Sequence, residues 1–457
     1  MQKRLLILLA MILVVGPFGL AQQSQQRLDT TTFVVMGEGL AAGVTNFSLS
    51  DVGQKHAFPA LMAKQMGAMF PQPVIQAPGI GNVMGFSDLP VRLPAALQTT
   101  VRRPFPPFLF VFNLSVPGLT VADAATRRPV APLIQPGDPK QTVVNFVLGY
   151  PQLIVEDDVP LWTQLEYASK MRPTFALVEL GFSEVLDAAV HGDLSRLPDL
   201  SSFRSDYEQI VSELRSTYAE VLVTTVPDPL DTAYFSHPVT VADLTRVPTY
   251  VVLGLYGLNE PDWITTPGLV EIGNQFLERR SAPLPTGSYI DAATGDEIRA
   301  YVTAMNQEIR SIASAHGALL FDLHGLVRGF RDEGVVVSGR QLTADFLGGL
   351  YSLDGYYPGA TGQALIANAI LETLNSTYGT DFAPVSLEQS MADDSVADYR
   401  ASSGPEIPLE ELAEFIPIQK MRYILRVKSR MSTSSPPGTG SERRDPQGAS
   451  RREGRRP

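Results

Sequence analysis

Cysteine is absent from all 457 residues, and tryptophan occurs only twice. The lack of cysteine excludes disulfides, thiolate-held metals and a lipid-modified N-terminal cysteine. Long apolar runs are also scarce. The one clear run, Leu5 to Val15, is short, follows Lys3 and Arg4, and is broken by Gly16-Pro17 before the small residues Gly19-Leu20-Ala21. That order of basic start, apolar run and small-residue end reads as a secretory signal over residues 1–21 rather than a membrane anchor. No later stretch is apolar enough to span a bilayer. The expectation is a secreted or periplasmic protein, bacterial in style, with no integral membrane span once the signal is removed.

Charge is unevenly spread. The net charge is −12, yet the tail from Arg426 holds nine basic and three acidic residues, leaving about −18 on the remainder. Such an acidic body repels nucleic acid and anionic membranes, so neither is expected as a partner. Residues 429–457 are rich in Ser, Pro, Gly and Arg and are expected to be disordered. Before them, residues 379–428 read as an acidic linker followed by an apolar segment, Leu409–Val427, broken by Pro417.

The region between reads as α/β. Five short apolar runs suit buried parallel strands: Phe33–Met36, Phe108–Phe112, Phe175–Leu180, Val221–Thr225 and Leu319–Phe321. Helical spacing of apolar residues marks Phe203–Tyr218, Glu297–Ala315 and Thr361–Thr373. Alternating strands and helices predict a three-layer α/β/α fold with a parallel five-stranded sheet covered on both faces. Two insertions interrupt it. Residues 71–107 are proline-rich and expected to be irregular, and 228–291 are expected to form a cap near the ligand end of the sheet.

Ligands of such sheets bind beyond the carboxyl ends of the strands, where four short blocks fall in order. They are Gly37-Glu38-Gly39-Leu40, Asn113-Leu-Ser-Val-Pro-Gly118, Gly181-Phe182-Ser183-Glu184, and Leu353-Asp354-Gly355-Tyr356-Tyr357-Pro358. Together they resemble the GDSL (SGNH) esterase and lipase family over roughly Thr31 to Tyr378. The resemblance implies a flavodoxin-like fold and ester hydrolysis with no cofactor. The family's nucleophilic serine, oxyanion-hole asparagine and histidine base correspond to Gly39, Ser183 and Tyr357 here. Asp354 matches the acid that orients the histidine, and Gly118 matches an oxyanion-hole glycine.

Those departures bear directly on chemistry. Glycine offers no atom to form an acyl intermediate. A phenol with a pKa of about 10 is a poor base at neutral pH. Losing nucleophile or base from a triad costs on the order of a million-fold in turnover, about 8 kcal/mol of barrier. The expectation is therefore an exported, catalytically inactive or severely impaired relative. In it, Gly39, Gly118 and Ser183 would still present donors to a small acyl, acetylated-glycan or carboxylate ligand, with Tyr357 adding its hydroxyl. The alternative is an active secreted esterase with a rearranged nucleophile, Ser183 or Ser48. None of the five histidines falls at the base position, and only His324 lies near the ligand end.

Two other readings of the same residues are weaker. Gly37-x-Gly39-x-x-Ala42 fits a dinucleotide fingerprint, but Val44-Thr45-Asn46-Phe47 opens no helix and no second strand ends in an acid about twenty residues later. Glu38, Glu184 and Asp354 could hold a hard cation through oxygen. The expectation is instead that they face solvent or cap helices, so no metal is assigned.

Overall fold

The computed structural model describes residues 27–77, 79–81, 101–102, 110–135, 137–149, 161–245 and 247–394. The signal run, the apolar segment Leu409–Val427 and the basic tail lie outside these residues. Among the described residues, no helix is long and apolar enough to cross a membrane.

Four parallel strands form the central sheet: β1 (Phe33–Gly37), β2 (Phe175–Glu179), β3 (Glu220–Thr224) and β4 (Leu319–Phe321), in the spatial order β1-β2-β3-β4. Their near-continuous apolar runs follow from burial on both faces, and Phe33 to Met36 have no exposed surface. The register pairs Phe33 with Phe175 and Gly37 with Glu179, so the first two strands end level with each other.

Of the fifth strand expected at Phe108–Phe112, residues 108–109 lie outside the described residues, and residues 110–112 form no regular strand. The outer edge of β1 is met slightly later, by residues 112–116. Val35 N–H donates to Phe112 O (2.9 Å), Leu114 N–H to Val35 O (2.9 Å) and Val116 N–H to Gly37 O (3.1 Å). Only one parallel bridge, Val35 to Asn113, results. The Asn113 side chain accepts from Ser115 N–H and donates to Ala41 O, and such local bonds compete with a regular ladder.

Helices cover both faces. The longest among the described residues are Leu200–Ser216, which starts three residues before and ends two residues before the expected Phe203–Tyr218, and Ala292–His316 and Ala360–Tyr378, which extend past their expected bounds at both ends. Their starts and stops have local causes. Asp199 and Asp291 cap the first two by accepting N–H bonds from Ser202 and Thr294, while Gly317 and Gly379 end the last two in left-handed backbone. Residues 379–394, read as the start of a linker, instead pack on the last helix. Asp394 accepts the Thr361 N–H at 2.9 Å, and helix Leu387–Ala392 lies against it.

The insertion 228–291 builds its own three-stranded antiparallel sheet from Phe235–Ser236, Trp263–Thr265 and Tyr289–Ile290, with helices Pro238–Thr245, Thr249–Tyr256 and Thr266–Glu278. Its apolar residues cluster with Phe47, Phe346, Leu347 and Leu353. The Tyr234 ring packs at a tilt against Tyr356, with centroids 5.7 Å apart. The insertion thus sits against the loop that carries Asp354 and Tyr357. Of the proline-rich insertion, the described parts form short strand pairs at Val74–Ile75 with Val101–Arg102 and at Ile80–Gly81 with Ser48–Leu49.

Candidate functional site

At its carboxyl end β1 turns at Glu38 into a four-residue helix, Gly39–Ala42, which Gly43 stops with φ +80°. Gly39 itself does not have the left-handed backbone that would require glycine. Its lack of a side chain has another cause. A Cβ built on Gly39 would lie 2.6 Å from Tyr357 Cε2 and closer still to Cζ and Oη. The phenol ring fills the space above Gly39, and positions 39 and 357 therefore form one steric unit.

Tyr357 is wholly buried, and its hydroxyl donates to Glu38 Oε2 at 2.7 Å. Ser183, at the start of helix Phe182–His191 after β2, donates its hydroxyl to the same oxygen at 2.6 Å. Glu38 Oε1 accepts the Leu40 N–H at 3.3 Å. Glu38, Ser183 and Tyr357 thus converge as the sequence blocks imply, but around an acid side chain. The open pocket expected over Gly39 is corrected: Glu38 and Tyr357 have no exposed surface, and Ser183 has 4%.

Glu179, at the end of β2, completes the cluster. Its Oε2 accepts the N–H groups of Glu38 (3.3 Å) and Ala41 (3.2 Å). Burial, and next the neighbouring Glu38 carboxylate, push its carboxyl well above the ordinary range. Glu38 receives two short hydroxyl bonds. Burial and then Glu38 also raise the Tyr357 phenol, which is a donor and not a base here. The only sign of Glu179 in the sequence was a single acid at the end of an apolar run, Phe175-Ala-Leu-Val-Glu179-Leu.

Glu184, on the same helix as Ser183, accepts the Val121 N–H at 2.6 Å through Oε1, while its Oε2 is buried without a partner. Burial raises its pKa to about 7. Asp354 is held within its own loop. It accepts from the Ser352 hydroxyl (2.6 Å) and from the N–H groups of Phe47, Tyr356 and Tyr357, and burial lifts its pKa to about 6. It therefore fixes the Tyr357 backbone, while the Tyr357 hydroxyl turns to Glu38. Of the expectation that Glu38, Glu184 and Asp354 face solvent or cap helices, the solvent-facing alternative does not hold, since all three are buried, while Glu38 caps its own helix and Glu184 binds the first N–H of Val121–Thr126. Among the described residues no group of three acidic, histidine or cysteine side chains is placed to hold a metal.

Gly118 lies in the turn that leads to helix Val121–Thr126, with φ +75°. Ser48 lies on the short strand Ser48–Leu49, which pairs with Ile80–Gly81. His324 lies in the first turn of helix Leu323–Asp332. Its N–H donates to Thr225 Oγ1, and its Nδ1 is buried without a partner. No described hydrogen bond joins it to Glu38, Ser183 or Tyr357.

No protein-family model matches the chain, and no curated protein matches it. Several solved structures align at low similarity. The alpha/beta hydrolase LAE5 from the metagenome of Lake Arreo, Spain, is 14% identical with a TM-score of 0.34, covering 76% of this chain and 94% of that one. Phospholipase A1 from Streptomyces albidoflavus NA297 is 12% identical with a TM-score of 0.32, covering 76% and 100%. The psychrotrophic esterase EstA from Pseudoalteromonas sp. is 11% identical with a TM-score of 0.30, covering 77% and 100%. TM-scores this low do not by themselves establish a common topology.

Proposed function

We propose that this chain is an exported SGNH-hydrolase-like protein that does not hydrolyse esters, its former catalytic position closed by a buried network of Glu38, Glu179, Ser183 and Tyr357. The observation that carries this reading is the Tyr357 hydroxyl on Glu38, with its ring over Gly39. A nucleophile, a base and room for a substrate are all missing from the point where Glu38, Ser183 and Tyr357 meet. A ligand of the acyl, acetylated-glycan or carboxylate class would have to displace Tyr357 to reach Gly39. The purified mature protein is expected to hydrolyse short p-nitrophenyl esters no faster than an unrelated protein. Saturable turnover above that level would overturn the reading.

A second reading rests on one contact. The Ser183 hydroxyl is paired with an acceptor, the Glu38 carboxylate, at 2.6 Å. An esterase using Ser183 would require this pair to become accessible, and its turnover would vanish in Ser183→Ala.

A further inference from the structure

The donors around Glu38 come from separate parts of the chain, and each is held by something other than Glu38. Ser183 is fixed in the first turn of its helix. Tyr357 is anchored through its N–H to Asp354 Oδ1 (2.9 Å), and its ring packs against Phe182 at 6.0 Å and Tyr356 at 5.1 Å. Leu40 N–H belongs to the turn after β1, while Glu179, at the end of β2, accepts the Glu38 N–H. None of the described ion pairs involves Glu38. Its carboxylate is stabilised by hydroxyl and N–H donors, in surroundings that exclude water.

A set of donors fixed by the scaffold and aimed at one carboxylate is a binding site whichever molecule supplies the carboxylate. We infer that this cage is a small-carboxylate site occupied by the protein's own Glu38, so that a free one- or two-carbon monocarboxylate binds there once the Glu38 side chain is removed. The inference goes beyond the absence of ester turnover and does not depend on it, because it rests on the donor geometry alone. It also explains why the intact protein should ignore free carboxylates: the internal one is tethered and holds the site at high effective concentration.

The test is thermal unfolding of the full-length Glu38→Ala variant in sodium formate against sodium chloride at equal ionic strength and pH 6. Formate at ten times its dissociation constant is expected to raise the variant's melting temperature by roughly 2–4 °C, and above that the rise should continue with the logarithm of formate concentration. The wild type and Glu38→Gln, whose amide still fills the cage, are expected to show no formate-specific shift. Adding Tyr357→Phe or Ser183→Ala to Glu38→Ala is expected to weaken formate binding about tenfold or more, as loss of a hydrogen bond to a charged group does. If Glu38→Ala does not fold in chloride, refolding restored by formate supports the site. Equal melting temperatures or equal refolding yields in the two salts would overturn it. So would an equal response from Glu38→Gln, which would mark the effect as non-specific.

Discussion

Replacing Gly39 with serine restores the residue of the esterase pattern, yet it should damage this protein. The backbone permits a side chain at this position; the obstacle is the buried Tyr357 ring, which a Cβ would overlap. Overpacking a filled core costs about 1–3 kcal/mol. Here the displaced group is wholly buried and has nowhere to go without leaving Glu38. Breaking its bond to that carboxylate adds about 1.5–3 kcal/mol, the range for hydrogen bonds to charged groups. Gly39→Ser should therefore destabilise by roughly 3–5 kcal/mol. Tyr357→His shortens the ring and opens the space, so the double variant should cost less than the sum of the singles by about 2 kcal/mol. Urea unfolding of the wild type, both singles and the double gives this coupling directly. A Gly39→Ser protein as stable as the wild type, or strictly additive singles, would refute the claim that the two positions form one steric unit.

The buried acids set the pH dependence. Glu184 rises from its ordinary 4.5 to about 7, so between those values the folded state holds a proton that the unfolded state has released. Stability should then fall as pH rises from about 5 to 8, by on the order of 3 kcal/mol from this group, with Asp354 and Glu179 acting in the same direction. Urea midpoints that stay flat or rise over that range would contradict this, and Glu184→Gln should flatten the profile. Arg299 holds Asp228 at 2.9 Å and Asp231 at 3.2 Å while lying over Trp263 at 4.8 Å. Arg299→Met should cost about 2–3 kcal/mol, less than the ~3–5 of a fully broken buried pair, because Arg328 remains 3.5 Å from Asp231. A change in unfolding midpoint near zero would show that Arg328 alone suffices.

The sequence made the strand ends legible because apolar runs buried on both faces stand out, and those ends are where the four blocks lie. Gly39 and Tyr357 could be read as replacements from block order alone. Their steric dependence could not, since it joins residues 318 positions apart through the fold. Glu179 was hidden within a strand run and acquires its role only from the register that sets it beside Gly37. The inward turn of Glu38 was equally illegible, because an acid in a glycine-rich turn is ordinarily solvated. The edge segment 112–116 was misplaced because Asn113 bonds locally, which the apolar pattern of Phe108–Phe112 does not register.

Covalent labelling with a serine-reactive fluorophosphonate, read by intact mass on the native full-length protein, tests the closed and non-catalytic site most directly. The expected result is no adduct under conditions that label an active serine esterase to completion, because Gly39 offers no nucleophile and Ser183 is buried against Glu38. A stoichiometric adduct on Ser183, or on any other serine, that is lost on unfolding would contradict the account and identify a working nucleophile.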